Sequence, residues 1–374
     1  MPVEIADWND LDNVRNDLTG DYVLVNDLDS ETAGYAGIGD DWEGNTFRDF
    51  TGTFNGDGFE IRDLDITVIG SGFDGEGLFA NIDAPDAVIE NLHVDGVIEG
   101  PDRIGLLCGL VDSGTIKNCS GSGQVINTGG QSVHAFIGRN DSTVENCASH
   151  IDVTSDDDRV GGLVGWNLGT VTDSYATGSV EGDDKVGGLV GRNAGTVEDS
   201  YATGSVEGGE RVGGLVGDNR GPVTESYATG SVEGDNEVGG LAGGNSDTVT
   251  QSYATGSVAG DFPVGGLVGL SLGDEIDSYW DTETTGQSSS GGDGIGLTTS
   301  EMQGSEAETN MDGFDFENVW SLVIDGENSD GDGYPILRAI DFEAQGDAQN
   351  LTITGYFDPL DPPEPPQNLT AELL

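Results

Sequence analysis

The chain has 374 residues, with 70 acidic and 12 basic side chains and a formal net charge of −58. This charge excludes nucleic acid and an anionic membrane surface as partners, because both would repel the protein. The sequence also contains no apolar run long enough to span a membrane, which excludes membrane insertion.

Such an excess of acid is typical of disordered chains, but a regular apolar repeat indicates a folded core here. In molar salt the Debye length shrinks to about 3 Å, so neighbouring carboxylates repel one another only weakly. We therefore expect a halophilic protein from a salt-saturated cytoplasm or brine. An ordinary acidic secreted protein is the alternative.

Residues 1–50 are predicted to form an N-terminal cap, made of a short helix in segment 7–18 and a strand at 22–28. An open end of stacked strands needs a cover, because an unpaired edge pairs with other chains. The apolar residues that lie on one stripe of the helix are Trp8, Leu11, Val14 and Leu18.

Residues 51–280 are built from a short repeat. The stretch VGGLVGWNLGTVTDSYATGSVEG (160–182) returns at intervals of 26 residues. The leucines of its GLVG motif and their older equivalents are Leu78, Leu107, Phe136, Leu163, Leu189, Leu215, Leu241 and Leu267. Related copies of the second block, VTDSYA, extend the series to about nine coils.

This repeat predicts an all-β, right-handed parallel β-solenoid of about nine coils with capped ends. Two short β-type segments per unit cannot bury a core alone, but each unit is long enough to wrap once around a narrow apolar centre. Parallel crossovers favour the right-handed sense. A β-propeller is excluded because its blades need about 40 residues.

The VTDSYA block predicts which side chains face the core. One inward column should contain Leu64, Leu92, Cys119, Cys147, Ser174, Ser200, Ser226, Ser252 and Ser278. Asn91, Asn118 and Asn146 precede this column and predict a bend at which each amide bonds its neighbours in the stack. Glycine pairs such as Gly161 and Gly162 predict tight corners with positive φ.

The residue after the inward column should point outward, and in the youngest coils it is tyrosine: Tyr175, Tyr201, Tyr227, Tyr253 and Tyr279. Rings repeated about 4.8 Å apart are close enough to stack on one another, which would be a structural role. The row of phenol hydroxyls would also suit a glycan or an S-layer surface, where many weak contacts add up. These tyrosines are the candidate ligand-binding residues.

The histidines and cysteines offer little chemistry. His93 belongs to the outward tyrosine column, His134 replaces a corner glycine, and His150 lies on another coil; we expect all three at the surface. Cys119 and Cys147 should be stacked neighbours, either bridged or free as small apolar filler. Cys108 falls in a different column.

Residues 281–345 are predicted to form a C-terminal cap. TTSE (298–301) has the spacing of a capping box for a short helix, and strand-like segments follow at 319–324 and 334–340. Beyond it, 346–374 is typical of a stiff proline-rich linker.

No cofactor is required by these motifs, but Ca²⁺ or other cations could bind at acidic turns. Asn328, Asp330 and Asp332 match the first half of a calcium loop, although Ala339 stands where the bidentate Glu belongs. The corner acids could also gather cations along the stack: Glu181, Asp183, Glu207, Glu233, Asp235 and Asp261. In both places a hydrated acidic surface is the alternative.

The GLVG core, the SYATGSV block, the SYWDTETTGQSSSGG exit and the final DGYPILRAI together resemble the GLUG-motif repeat proteins, over residues 1 to 340. These are β-solenoid segments of bacterial and archaeal surface adhesins. The resemblance implies attachment or surface scaffolding and brings no established catalytic residues. The tail PPEPPQNLTAELL resembles the start of a fibronectin type III domain.

We expect a non-enzymatic adhesion or receptor-binding module, because near-identical coils favour binding by multiplicity over a unique catalytic constellation. The partner would be a host or neighbouring-cell glycan or S-layer protein, alongside other virion or surface proteins. The setting would be a haloarchaeal cell surface or a virion spike, turret or tail fibre. The first thirty residues contain no apolar leader, and a native start at Met1 would favour the virion. A polysaccharide-degrading β-helix enzyme is the alternative.

Overall fold

The computed structural model describes residues 1–29, 37–39, 48–68, 75–101, 103–129, 134–322 and 333–338. In this part of the chain, 35 strands form one continuous parallel hydrogen-bonded network that coils into a β-solenoid of about eight turns. Two further strands pair antiparallel with each other. The all-β solenoid is confirmed, with about eight turns where the repeat predicts nine, and its right-handed sense stays a prediction.

The N-terminal half has the longer strands, because its coils depart most from the short repeat. These strands are Val3–Ile5, Asp21–Leu24, Leu28–Asp29, Thr53–Asn55, Glu60–Thr67, Phe79–Glu90, His93–Gly100, Ile104–Lys117, Ser120–Asn127, His134–Asn140, Thr143–Glu145 and Ala148–Thr154.

The repeats that follow use shorter strands separated by bends. These strands are Asp158–Gly161, Val164–Asn167, Thr170–Thr172, Tyr175–Ala176, Val180–Glu181, Asp184–Gly187, Val190–Asn193, Thr196–Glu198, Tyr201–Ala202, Val206–Gly213, Val216–Asn219, Val223–Thr224, Tyr227–Ala228, Val232–Gly239, Ala242–Asn245, Thr248–Thr250, Tyr253–Ala254, Val258–Ala259, Val264–Gly265, Val268–Ser271, Asp274–Ile276, Tyr279–Asp281 and Ile295–Leu297.

The stacked valines show how the repeat builds the core. Val171, Val197, Val223 and Val249 pair in register in successive coils and are all buried. Because parallel in-register pairing places equal repeat positions on top of one another, one inward valine per coil becomes a continuous apolar column.

The predicted inward column is confirmed from Leu92 to Ser278. The backbone N–H groups of Ser174, Ser200, Ser226 and Ser252 donate to the hydroxyl of the serine in the next coil, at 3.1 to 3.3 Å. Leu64 is buried but pairs with Gly96 and not with Leu92. These two coils pair 32 or 33 residues apart, whereas matching IRDLDI to IENLHV by sequence assumes 28, so the match places Leu64 wrongly.

The predicted asparagine bend is also confirmed. Asn91, Asn118 and Asn146 have φ of 54°, 54° and 51°, in the left-handed region that Asn tolerates. The Nδ2 of Asn118 donates to Oδ1 of Asn91, and Nδ2 of Asn146 to Oδ1 of Asn118, both at 2.9 Å. In the later coils the bend carries other residues with positive φ: Asp173, Asp199, Glu225, Gln251 and Asp277.

A second amide ladder was not predicted. It joins five buried asparagines through Nδ2–Oδ1 hydrogen bonds of 2.8 to 2.9 Å: Asn140, Asn167, Asn193, Asn219 and Asn245. Since each amide donates to the next coil, the ladder fixes the register of the stack as well as satisfying buried polar groups.

Gly161 and Gly162 do not have the positive φ that the sequence predicts. They are needed for close packing: a Cβ at Gly161 would lie 2.3 Å from the carbonyl oxygen of Val164, and one at Gly162 would lie 2.3 Å from that of Gly188. The corners are therefore tight because backbones approach each other, which only glycine permits.

The predicted N-terminal helix is present in the described residues, whereas the bounds of an N-terminal cap over 1–50 stay a prediction. A helix, α1 (Trp8–Asn13), is followed by a 3-10 helix, Val14–Asn16. The carboxylate of Asp7 caps α1 by accepting from the backbone N–H groups of Asn9 and Asp10, and Leu11 and Val14 are buried against the first coil.

The C-terminal region caps the end of the solenoid only in part. Ile295–Leu297 adds a parallel strand beside Tyr279–Asp281. The chain then leaves the end and lies along the side of the solenoid, as residues 298–322 and 333–338, which we call the cover.

The cover contains a 3-10 helix (Thr299–Glu301), a second helix, α2 (Gly304–Asn310), and the antiparallel strands Trp320–Leu322 and Pro335–Leu337. Thr298 and Glu301 form the predicted capping box.

Candidate functional site

The predicted tyrosines form a ladder on the side of the solenoid. Rings of Tyr175, Tyr201, Tyr227 and Tyr253 stack with centroid distances of 4.9, 4.8 and 5.1 Å and interplanar angles of 1° to 6°. Tyr279 continues the row in register with Tyr253. The predicted stacking is confirmed for the four rings from Tyr175 to Tyr253.

The cover buries the C-terminal half of this ladder. Trp320 packs with its ring centroid 5.7 Å from that of Tyr253, and Phe314 lies 5.6 Å from Tyr279. The Tyr253 hydroxyl donates to the carbonyl of Pro335 at 2.5 Å, and the Tyr279 hydroxyl donates to the carbonyl of Asp312 at 2.9 Å.

Exposure falls to 5%, 1% and 1% for Tyr227, Tyr253 and Tyr279. Tyr175 is also buried, at 8%, and Tyr201 is partly buried, so the five tyrosines do not form a row that is open to solvent. Ligand binding by these tyrosines stays a prediction. Tyr227, Tyr253 and Tyr279 form a second apolar core, outside the coil, with the cover.

Histidines continue the ladder at its other end. His93, Ser120, Ala148 and Tyr175 share one row of the parallel network. His150 meets Tyr175 edge-on at 5.6 Å, and its Nδ1 lies 2.7 Å from the hydroxyl of Thr177.

His93 and His150 are half-buried and not freely at the surface as predicted. Burial lowers the pKa of both imidazoles. The His134 backbone pairs with Val160, so His134 does not occupy a corner glycine position, and its side chain lies outside the described part.

Carboxylates line the bend beside the ladder. Asp199 and Glu225 occupy equivalent positions of adjacent coils. Burial raises the pKa of Asp199 to about 7, and the charges of Glu225, Asp173 and Glu198 act in the same direction. Burial also raises the pKa of Glu225, helped by Glu198 and by Asp315 of the cover.

Cation binding at acidic turns stays a prediction, and the structure points to a different set of acids for it. Carboxylate oxygens of Glu198, Asp199 and Glu225 lie within 4.8 Å of one another. The predicted corner acids Glu181, Glu207 and Glu233 stack in register but remain exposed. Asn328, Asp330 and Asp332 lie outside the described residues.

The three cysteines are buried free thiols. Cys119 and Cys147 are in adjacent coils of the inward column, where their thiols donate to carbonyls of Lys117 and Glu145, both at 3.3 Å. Burial raises the pKa of Cys119 and Cys108, so neither is an activated thiolate. This arrangement matches the apolar-filler alternative.

Comparison with known families agrees with the repeat. The GLUG motif family matches residues 158–181 and 185–207. Two of the central coils therefore carry the GLUG motif. These two matched segments are the coils whose strands carry Trp166, Tyr175 and Tyr201.

Among curated proteins, this GLUG-repeat chain is similar to halomucin of Haloquadratum walsbyi, with 32% identity over 142 residues. The match covers 36% of this chain and 2% of halomucin, so the chain spans a very small part of that relative.

Among solved structures, the chain is similar to a Bacteroides ovatus protein named as a candidate immunoglobulin A1 protease, with 17% identity and a TM-score of 0.46. That match covers 90% of this chain and 92% of the other. Within the described residues, no helix is both long and apolar enough to cross a membrane.

Proposed function

We propose that this GLUG-repeat solenoid is a non-enzymatic adhesion module on the exposed surface of a halophilic cell or virus particle, and that it binds glycan. The observation that carries the proposal is the exact stacking of near-identical coils, which repeats the same outward side chains along one axis. Such a surface can contact a repeating polymer at several points, and the weak contacts add up.

The similarity to halomucin of Haloquadratum walsbyi supports an exposed surface in a haloarchaeal setting. The net charge of −58 supports a protein that works in brine, where its carboxylates keep the surface hydrated and are screened from one another.

Attachment in brine tests the proposal. The labelled whole chain should bind intact haloarchaeal cells in molar KCl, and periodate oxidation of the cell surface should abolish the binding, because it destroys vicinal diols of glycans. Attachment that survives periodate and is lost after protease treatment would instead identify an S-layer protein as the partner. No attachment to any haloarchaeal envelope would contradict an adhesive function.

A second candidate function, glycan hydrolysis, is favoured by one observation. Burial raises the pKa of Asp199 to about 7, Asp199 lies beside Glu198 and Glu225, and glycosidases use a carboxyl of raised pKa as general acid together with a second carboxyl. Release of reducing ends from envelope polysaccharide by the wild type, lost in Asp199→Asn, would support hydrolysis over adhesion.

A further inference from the structure

The basic residues of the central coils gather on one face of this acidic molecule. Between Lys117 and Arg338 the sequence contains six Lys and Arg residues. Together with Trp166 they form what we call the Trp166 face: Arg139, Arg159, Lys185, Arg192, Arg211 and Arg220.

Trp166 lies at the centre of this face. Arg139, Trp166 and Arg192 pair in register in three successive coils, so the two arginines flank the tryptophan along the stack. The guanidinium carbons of Arg139, Arg159 and Arg192 lie 4.9, 5.2 and 5.3 Å from the centre of the indole ring. Attraction between the cations and the ring holds three like charges together.

Most of these cations already have carboxylate partners within the face. The closest pairs are Arg139–Asp141, Lys185–Asp184, Arg192–Asp218, Arg211–Glu237, Arg211–Glu210 and Arg220–Asp218. They order the face, because each fixes a long side chain in one geometry.

Arg159 differs from the others, since it forms no ion pair with any residue in the described part of the chain. Its Nε and the indole Nε1 of Trp166 are both buried without a hydrogen-bond partner. Burial lowers the pKa of the neighbouring Arg192, and the charges of Arg220, Arg159 and Arg211 act in the same direction. Arg159 thus lies near Arg192, whose neighbours Arg211 and Arg220 have carboxylate partners, whereas Arg159 has none in the described part of the chain.

We propose that the Trp166 face binds an acidic saccharide, a sugar chain bearing carboxylate or sulfate groups, and that the guanidinium of Arg159 receives the anionic group. The planar fork of Arg matches the geometry of both oxyanions. The half-exposed carboxylate of Glu210 can accept hydrogen bonds from sugar hydroxyls, whereas it would repel a bare anion. A neutral sugar would leave the charge of Arg159 unpaired.

The inference rests on the proposed function, because it names the site and the ligand class for glycan adhesion. Purified whole chain in molar KCl is titrated calorimetrically with oligogalacturonate, sulfated dextran oligosaccharide, neutral dextran oligosaccharide of equal length, and inorganic sulfate. We expect binding of one or both acidic oligosaccharides. Which of them binds shows whether the site accepts carboxylate or sulfate groups. Equal binding of neutral dextran, or binding of inorganic sulfate as tight as that of the sulfated sugar, would overturn the proposal.

Arg159→Gln should weaken binding of the acidic sugar about tenfold or more, since it removes a charged hydrogen-bonding group. Trp166→Leu should weaken it too, because the three guanidiniums lose the ring that holds them. Arg62→Gln is the matched control: it also removes an arginine, but one on the N-terminal coils, paired with Asp27 and Glu60. Undiminished affinity in Arg159→Gln, with folding verified by circular dichroism, would overturn the assignment of the site.

Cell attachment separates the two proposals. If wild type attaches to cells and Arg159→Gln attaches equally well, the Trp166 face is the wrong site and adhesion stands. If wild type binds acidic oligosaccharides through Arg159 and attaches to no cell, the site stands and the adhesive function fails.

Discussion

At the scale of single residues, stacking near-identical coils places like side chains on top of one another. For serine, asparagine and tyrosine this is favourable, because each group bonds or stacks with its copy. For the carboxylates of the bend it is unfavourable: burial raises the pKa of Asp199 to about 7, and the neighbouring charges of Glu225 and Asp173 add to this rise. The repeat therefore tolerates an electrostatic cost at Asp199 that varies with pH.

Stability should rise as the pH falls through the pKa of Asp199. Its folded-state pKa of about 7 lies above the ordinary value of 3.8, so the native state binds the proton more tightly than the unfolded state. Between the two values, lowering the pH should raise the thermal midpoint. Asp199→Asn should raise the midpoint at alkaline pH and flatten this dependence.

Glu207→Gln is the control for that experiment, because it removes an exposed carboxylate that is not part of the bend. It should leave the slope of midpoint against pH as in the wild type. A wild-type slope that persists in Asp199→Asn would show that other groups, such as Glu225, carry the pH dependence.

The buried amide ladder makes a second prediction at this scale. Asn193→Ala removes the acceptor of Asn167 and the donor to Asn219, leaving polar groups unsatisfied in the core. We expect a loss of about 2 to 4 kcal/mol in the free energy of unfolding. Asn236→Ala, at an exposed position of the following repeat, should change it by less than about 0.5 kcal/mol. Equal effects of the two substitutions would refute a stabilising ladder.

At the scale of elements, the cover and the tyrosine ladder stabilise each other. The ladder is an apolar strip on the outside of a β-coil, and Trp320, Phe314 and the helix α2 supply the side chains that bury it. The cover is short and contains little regular structure, so its position depends on this contact more than on its own hydrogen bonds.

Trp320→Ala should detach the cover without unfolding the coil. The loss of a buried tryptophan side chain costs about 3 to 5 kcal/mol of stabilising free energy. The other contacts of a segment as short as the cover cannot replace this amount. Nitration by tetranitromethane should then modify Tyr253, which is buried in the wild type. Circular dichroism should still report the β-coil.

Phe262→Ala is the matched control, since Phe262 is an aromatic residue that is already exposed. It should leave Tyr253 protected from nitration. If Tyr253 also stays protected in Trp320→Ala, the cover is held by contacts other than the tryptophan.

The elements that the sequence predicts well are those that repeat. Positions 26 apart must stack when parallel strands pair in register, so the columns of Ser174 and Tyr175 follow directly from the spacing. Leu64 was misplaced because this old coil does not keep the period: it pairs with the next coil 32 or 33 residues on, whereas the sequence match assumes 28. The cover could not be predicted, since its place depends on the fit of Trp320 against the ladder and not on any period.

Part of the candidate site was visible in the sequence and part was not. Six of the twelve Lys and Arg residues lie within 139–220, and a count of charges along the chain would have found this cluster. Their convergence on Trp166 depends on the three-dimensional path of each coil. The local sequence pattern does not determine that path. The raised pKa of Asp199 likewise needs burial, which composition alone cannot give.

At the scale of the whole molecule, the net charge of −58 opposes the compact state. The electrostatic repulsion is strongest where acidic side chains stack, as in the exposed row of Glu181, Glu207 and Glu233. Strands in such a row are about 4.8 Å apart, which is longer than the Debye length of about 3 Å in molar salt and shorter than the 10 Å found near 0.1 M. Screening should therefore decide whether these coils can stay stacked.

Folding should accordingly depend on salt. Far-UV circular dichroism should show β structure in molar KCl that is lost or greatly destabilised on dialysis to about 0.1 M. Sucrose tests the mechanism, because it stabilises compact states by exclusion from the surface and does not screen charge. Replacing Glu181, Glu207 and Glu233 together by Gln should lower the KCl concentration needed for folding, whereas replacing them by Asp, which keeps the charge, should not. Rescue by sucrose as complete as that by KCl, or equal behaviour of the Gln and Asp variants, would mean that the acidic rows do not set the salt requirement.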